Sequence, residues 1–212
     1  MKLVDQYRPK SFDEIIGQVP MLTRLETLRQ RGLAGRAYWI SGPTGCGKTS
    51  LARLIAADVS NPIATTEVDA QDFSMGLVRD FENQCRCRPI GGGGWCFILN
   101  EAHGLSDKVT SRILTVLESD AAAISTWIFT TTDRGEQRFL NDSFDSGALL
   151  SRCVRLKLQS PPELDAAIWA RKIAAEAGLD GQPLTSYVAL VRRCERNLRA
   201  ALQLIEAGEM LG

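Results

Sequence analysis

Eight residues, Gly42 to Thr49, follow the spacing G-x-x-x-x-G-K-T, and that spacing suits one task, the holding of a phosphate chain. Gly42, Gly45 and Gly47 allow backbone N–H groups to turn inward onto phosphate oxygens. A helix starting at the end of the loop adds partial positive charge from its N-terminus. Lys48 would reach the β- and γ-phosphates, and Thr49 would offer its hydroxyl to Mg2+. Pro43, Thr44, Cys46 and Ser50 complete the expected binding stretch, with the small side chain of Cys46 turned away from the nucleotide.

A second stretch, "FILNEAHGLS" from Phe97 to Ser106, would supply the other half of such a site. Apolar residues run into Asn100 and Glu101, where a phosphate-handling enzyme of this type places Asp and then Glu. Asparagine keeps the carbonyl acceptor and the size of aspartate but not its charge, so Mg2+ is expected at about the same place and less tightly held. Glu101 is expected to orient or deprotonate the attacking water. His103, the only histidine, is expected to pack or hydrogen-bond at the strand end, since Glu101 is the better base. These residues predict ATP and Mg2+ as cofactors, with hydrolysis weakened and not abolished.

The elements needed to position these groups can be read on either side. Ala37–Ser41 is a short apolar strand before the glycine loop, and 50–59 has helical spacing through Leu51, Leu54, Ile55 and Val59. "WCFILNEAH" contains a second strand, and Ser125–Thr131 a third that ends in hydroxyls. Between them lies a helix with Ser106 as its N-cap and Val109, Ile113, Val116 and Leu117 on one face. Buried strands alternating with helices predict a mostly parallel sheet. Pro161-Pro162 interrupts the chain, and the helical patterns that follow predict a separate small bundle. The expected division is an α/β domain over 1–158 and a helical lid over 159–212.

The bulk numbers fit a folded chain. Its 212 residues can bury a sizeable core, and 44% hydrophobic with 24% charged residues gives no ground for disorder. Lys plus Arg equals Asp plus Glu at 25 each, so any nucleic-acid surface must be local. The six cysteines lack paired zinc spacing and are expected as reduced thiols. No run reaches bilayer-crossing length and the first residues lack a signal-peptide core, which predicts a cytoplasmic protein with no membrane partner.

Six motifs in order resemble those of AAA+ ATPases, and within them the clamp-loader subunits of the bacterial tau/gamma and replication factor C small-subunit types. They are "VDQYRPKSFDEIIGQ", "GPTGCGKTS", "FILNEAH", "TTTDR", "LLSRCVRLKL" and "RNLRAALQLIEA". The resemblance implies a P-loop NTPase fold, a mostly parallel central sheet flanked by helices with a small C-terminal helical lid. It implies that Tyr7, Arg8 and Pro9, with the turn Ile15, Ile16 and Gly17, border the adenine. Thr132 would be the polar sensor residue after its strand, and Arg199 would lie over the phosphates, with Arg196 as a near alternative. Arg152, in Ser-Arg-Cys, would reach into a neighbouring subunit's site and stabilise transition-state charge in trans.

The partners implied are other AAA+ subunits, identical or paralogous, in a ring or arc, together with a sliding clamp and primer-template DNA. Arg79, Arg86 and Arg88, with Lys108 and Arg112, are candidates for a phosphate-contacting rim beside that DNA. Clamp-loader subunits usually continue into a helical collar, which the expected lid does not include. A non-replicative ATP-binding switch or scaffold with little turnover is therefore a second reading, and a branch-migration motor of the RuvB type a third.

Overall fold

A computed structural model describes residues 2–212. Five parallel strands form one sheet: β1 (Ala37–Ser41), β2 (Thr65–Asp69), β3 (Trp95–Asn100), β4 (Ser125–Thr131) and β5 (Cys153–Lys157), in the order β2-β3-β4-β1-β5. The three inner strands are buried along almost their whole length, because helices cover both faces of the sheet and neither face meets water. Side chains alternate between two cores. Trp39, Phe97, Trp127 and Phe129 pack on one face, and Tyr38, Ile40, Cys96, Ile98 and Ile128 on the other.

The first face is covered by α4 (Met75–Gln84), α5 (Asp107–Leu117), α6 (Asp133–Asp142) and α7 (Ser146–Arg152), through Val78, Phe81, Val109, Ile113, Val116, Phe139 and Leu149. Phe81 stacks on Phe97 with ring centroids 4.1 Å apart. The second face is covered by α2 (Val19–Arg29) and α3 (Lys48–Val59), through Leu25, Leu51, Ile55 and Val59. Helix α3 starts two residues before the expected Ser50, so Lys48 and Thr49 occupy its first turn. Ser106 does precede α5, but its side chain makes no capping bond; its carbonyl accepts from the Thr110 hydroxyl at 3.1 Å instead.

A third core joins α8 (Glu163–Glu176), α9 (Leu184–Arg193) and α10 (Leu198–Glu206) through Ala166, Ala170, Tyr187, Val191, Leu202 and Ile205. Leu3 belongs to this core as well, because the short helix α1 (Leu3–Gln6) packs on α10. The Leu3 N–H donates to Glu206 Oε1 at 3.2 Å. Residues from opposite ends of the sequence therefore meet over the same end of the sheet.

Helix α10 begins later than its apolar pattern suggests. Glu195 and Arg196 both have positive φ, +52° and +62°, and Asn197 then caps the helix by accepting from the Ala200 N–H at 3.2 Å. Side chains other than glycine resist that left-handed conformation at about 1–2 kcal/mol per residue. Arg196 is thereby held off the helix, and Arg199 sits in its first turn.

Candidate functional site

Every strand of the sheet points its C-terminal end the same way, and a cavity of about 270 Å³ opens there beside β1 and β3. Its wall is drawn from four regions of the fold. Thr44 to Ser50 come from the glycine loop, and Tyr7, Arg8, Pro9, Ile15 and Ile16 from the N-terminal segment. Asp69, Asn100, Glu101 and Thr130 come from strand ends, and Trp169, Leu198, Arg199 and Leu202 from the helical unit. Ring and aliphatic groups thus share the wall with cations and carboxylates.

Lys48 is a buried cation with no carboxylate partner among the described residues. Its ammonium donates to the carbonyls of Gly42 at 3.0 Å and Pro43 at 2.8 Å. Burial lowers its pKa, and the nearby Arg199 pushes the same way, against the pull of Glu101 and Asp133. A poly-anion entering the loop would meet an ammonium that lacks a counter-charge. The residues therefore fit a phosphate chain, which would be held by the loop N–H groups, Lys48 and the first turn of α3. The Cys46 thiol is buried and its pKa raised by that burial, so it is an inert neighbour of the loop.

The helical unit closes directly onto this loop. A Cβ built at Gly45, whose φ is +74°, would collide with Asn197 Oδ1. Only glycine fits both the backbone conformation and the close approach. The residue that caps α10 thus rests on the phosphate loop and fixes where Arg199 projects.

Asn100 is engaged at both ends. Its amide donates to Glu67 Oε1 at 2.7 Å, and its carbonyl accepts from the Thr130 hydroxyl at 2.9 Å. Glu67 in turn accepts from Arg53 Nε at 2.7 Å and Nη2 at 3.2 Å. Burial works against ionisation of Glu67, but the bonds from Arg53 and Asn100 outweigh it and hold its pKa below the usual carboxylate value. The chain Arg53–Glu67–Asn100–Thr130 crosses from α3 over three strands. The amide orientation is fixed by it, since Glu67 can only accept.

Glu101 reaches the cavity from a left-handed backbone conformation, φ +52° and ψ +47°. His103 Nδ1 stands 3.5 Å from its carboxylate and 3.1 Å from the Thr131 hydroxyl, so the histidine bonds at the strand end as expected. Strain of this kind at a cavity-lining carboxylate fits a group held in position for chemistry.

Several expected site residues lie outside the cavity wall. Thr132 does not face the cavity: the chain turns into α6 after Thr131, and its hydroxyl accepts from the Gly135 N–H at 3.0 Å. Thr130, two residues earlier, lines the cavity and bonds Asn100. Gly17 lies outside because it is pressed against the proline pair; a Cβ there would meet Pro161 at 2.7 Å. Gly42 and Pro43 contribute their carbonyls to Lys48 and do not line the wall. Arg196 is likewise absent from the wall, being held in the turn before α10.

Arg152 ends α7 on the surface, where its guanidinium bonds Glu118 (Nε at 2.8 Å, and Nη2) and the Ala148 carbonyl at 2.9 Å. Arg79, Arg86 and Arg112 border one surface depression, but Arg112 is paired with Glu82 at 2.7 Å. Asp69, Thr130 and Trp169 are cavity residues that sequence reasoning missed. Thr130 could have been sought near the end of β4, the strand that flanks β3 and ends in hydroxyls.

No group of three or more His, Cys, Asp or Glu side chains placed to hold a metal occurs among the described residues. No helix among them is long and apolar enough to cross a membrane. Burial pushes the Cys96 and Cys153 thiols up to about 12.

Comparison with known proteins gives a consistent neighbourhood. The profile of the ATPase family associated with various cellular activities (AAA) matches residues 38–153. Protein STICHEL of Arabidopsis thaliana is 26% identical over 98% of this chain and 18% of its own length. The DNA polymerase III subunit tau of Escherichia coli is 25% identical over 96% of this chain and 34% of its own. The gamma/tau subunit of Mycobacterium tuberculosis H37Rv is 29% identical over 63% and 27%. The chain thus spans roughly a fifth to a third of these relatives. Among solved structures, the Thermotoga maritima RuvB branch migration motor superposes with a TM-score of 0.72 at 22% identity, over 94% of this chain and 64% of that one.

Proposed function

Since the chain belongs to the AAA family of ATPases, we propose that the cavity binds ATP with Mg2+ and that the protein works as a clamp-loader-like subunit, coupling nucleotide to the placing of a sliding clamp on primed DNA. The observation that carries the nucleotide part is Lys48, a buried cation that has only carbonyl partners, in the first turn of a helix whose N-terminus faces the cavity. The replicative part rests on likeness to tau subunits over almost the whole chain, at an identity that leaves clamp and DNA as proposals.

On this reading the chain's own groups divide the work. Tyr7, Ile15, Ile16 and Trp169 provide the apolar flank suited to a base, while the loop N–H groups and Lys48 hold phosphate oxygens. Thr49, and Asn100 through water, would hold Mg2+, which when bound would polarise the phosphoryl oxygens. Glu101 receives a proton from water or orients it, and Arg199, from the helical unit, neutralises charge on the phosphates. Thr130 keeps Asn100 in place. Arg152 acts on a neighbouring subunit of a ring or arc, and the units 1–158 and 159–212 act as body and lid.

A second reading, an ATP-binding switch or scaffold with little turnover, is favoured by the neutral Asn100 already committed to Glu67 and Thr130. The two part on assay. ATP hydrolysis stimulated by clamp and primed DNA supports the loader, and tight binding without stimulation supports the switch. The test of the site itself is Lys48→Ala, which is expected to weaken ATP binding by about 100-fold or more, the scale of a lost charge-assisted contact of about 3 kcal/mol. Calorimetry showing unchanged affinity would refute the nucleotide reading.

A further inference from the structure

The cavity's metal side carries an uncharged amide at Asn100, with its carbonyl bonded to Thr130 and its amide to Glu67. Resting on the nucleotide reading above, we propose that Asp69 supplies the anionic acceptor for metal-bound water that Asn100 lacks.

Strand register carries the argument. Parallel pairing sets Asp69 opposite Asn100 as the last residues of β2 and β3, and both line the cavity together with Thr49. Asp69 keeps an extended backbone, φ −78° and ψ 138°, so the alternation of the strand runs through it. It therefore projects on the same face as Glu67, one pleat nearer the glycine loop. Glu67 itself is spent on Arg53 and Asn100 and does not line the cavity.

Asp69 is different. It precedes a short helical turn yet makes no capping bond, and it has no ion-pair partner among the described residues. Asp69 is an exposed carboxylate lining the same cavity as the Thr49 hydroxyl and the Asn100 amide, and carboxylate and hydroxyl oxygens are the hard donors that Mg2+ and its waters favour. Asp69 is thus a positioning residue, working through water, and the charge missing from β3 is carried on β2.

The test uses the full chain and measures ATP affinity by calorimetry, in excess EDTA and in Mg2+, for the wild type, Asp69→Asn and Glu67→Gln, with Mn2+ uptake followed by electron paramagnetic resonance. Loss of an outer-shell ligand partner typically costs 10–100-fold in metal affinity. Asp69→Asn is therefore expected to lose about tenfold or more of the tightening given by Mg2+ and to release bound Mn2+, with ATP affinity in EDTA unchanged. Glu67→Gln is expected to keep most of that tightening. Asp69→Asn retaining the wild-type response to metal would overturn the assignment while leaving the nucleotide reading intact. Wild-type protein that binds no ATP would overturn both, and wild-type ATP binding indifferent to metal would overturn this assignment alone.

Discussion

Replacing Asn100 by aspartate restores the residue a phosphate-handling enzyme normally carries, and the structure predicts a cost. The Asn100 amide nitrogen lies 2.7 Å from Glu67 Oε1. In Asn100→Asp a second carboxylate oxygen takes that position, with no proton between the two. Unit charges about 4 Å apart repel by about 4 kcal/mol at an effective dielectric constant near 20. That repulsion holds one proton on the pair above the ordinary carboxylate range. Arg53 is already present in the wild type and offsets only Glu67. With the Glu67 side chain 27% exposed, solvent reduces the repulsion to about 2 kcal/mol.

The sign follows from the raised folded-state value. Below about pH 4 to 5 one carboxyl keeps its proton and an O–H···O bond replaces the N–H···O bond, so the variant should match the wild type within about 1 kcal/mol. As pH rises through the raised folded-state pKa of the pair, that proton is lost and stability falls by about 2 kcal/mol relative to the wild type. Urea unfolding of both proteins between pH 5 and 8 in EDTA measures this, and adding Glu67→Gln should recover most of the loss. Parallel stability curves over that range, or a double variant whose effects simply add, would refute the reasoning.

Two further outcomes follow from the geometry. Gly45→Ala forces a side chain into the space of Asn197 Oδ1 and strains a φ of +74°, so it should destabilise the chain by about 1–3 kcal/mol. Asn197→Ala in the same background should relieve the collision but not the backbone strain, giving a partial recovery in thermal melts. Arg152→Ala is expected to leave ATP affinity unaltered, since the residue lies outside the cavity, and to reduce turnover in assembled samples by about 1000-fold, the low end for an arginine supplied in trans. Equal turnover of wild type and variant in the assembled state would count against a trans role.

What could be read in advance divides along physical lines. The glycine loop was legible because phosphate chemistry dictates its letters, and β1, β3 and β4 because both faces of a central strand are buried. Strand β2 was not. As an edge strand, "TTEVD" contains one apolar residue and gives no alternation to read, and Asp69 went unnoticed with it. In "TTTDR" three consecutive hydroxyls are indistinguishable until the backbone shows where β4 stops and α6 starts. The contact of Asn197 with Gly45 lies beyond any local pattern, because it joins residues from the loop and the last helix. Arg196 was offered beside Arg199 on the assumption of one continuous helix, and the left-handed pair removes it.

That pair, Glu195 and Arg196, makes the aim of Arg199 a loaded one. Two residues sit uphill by about 1–2 kcal/mol each so that Asn197 can land on the glycine loop and the arginine can face the cavity. Loss of the Asn197 contact with the glycine loop would therefore remove what the strained turn is held against, and with it the placement of Arg199.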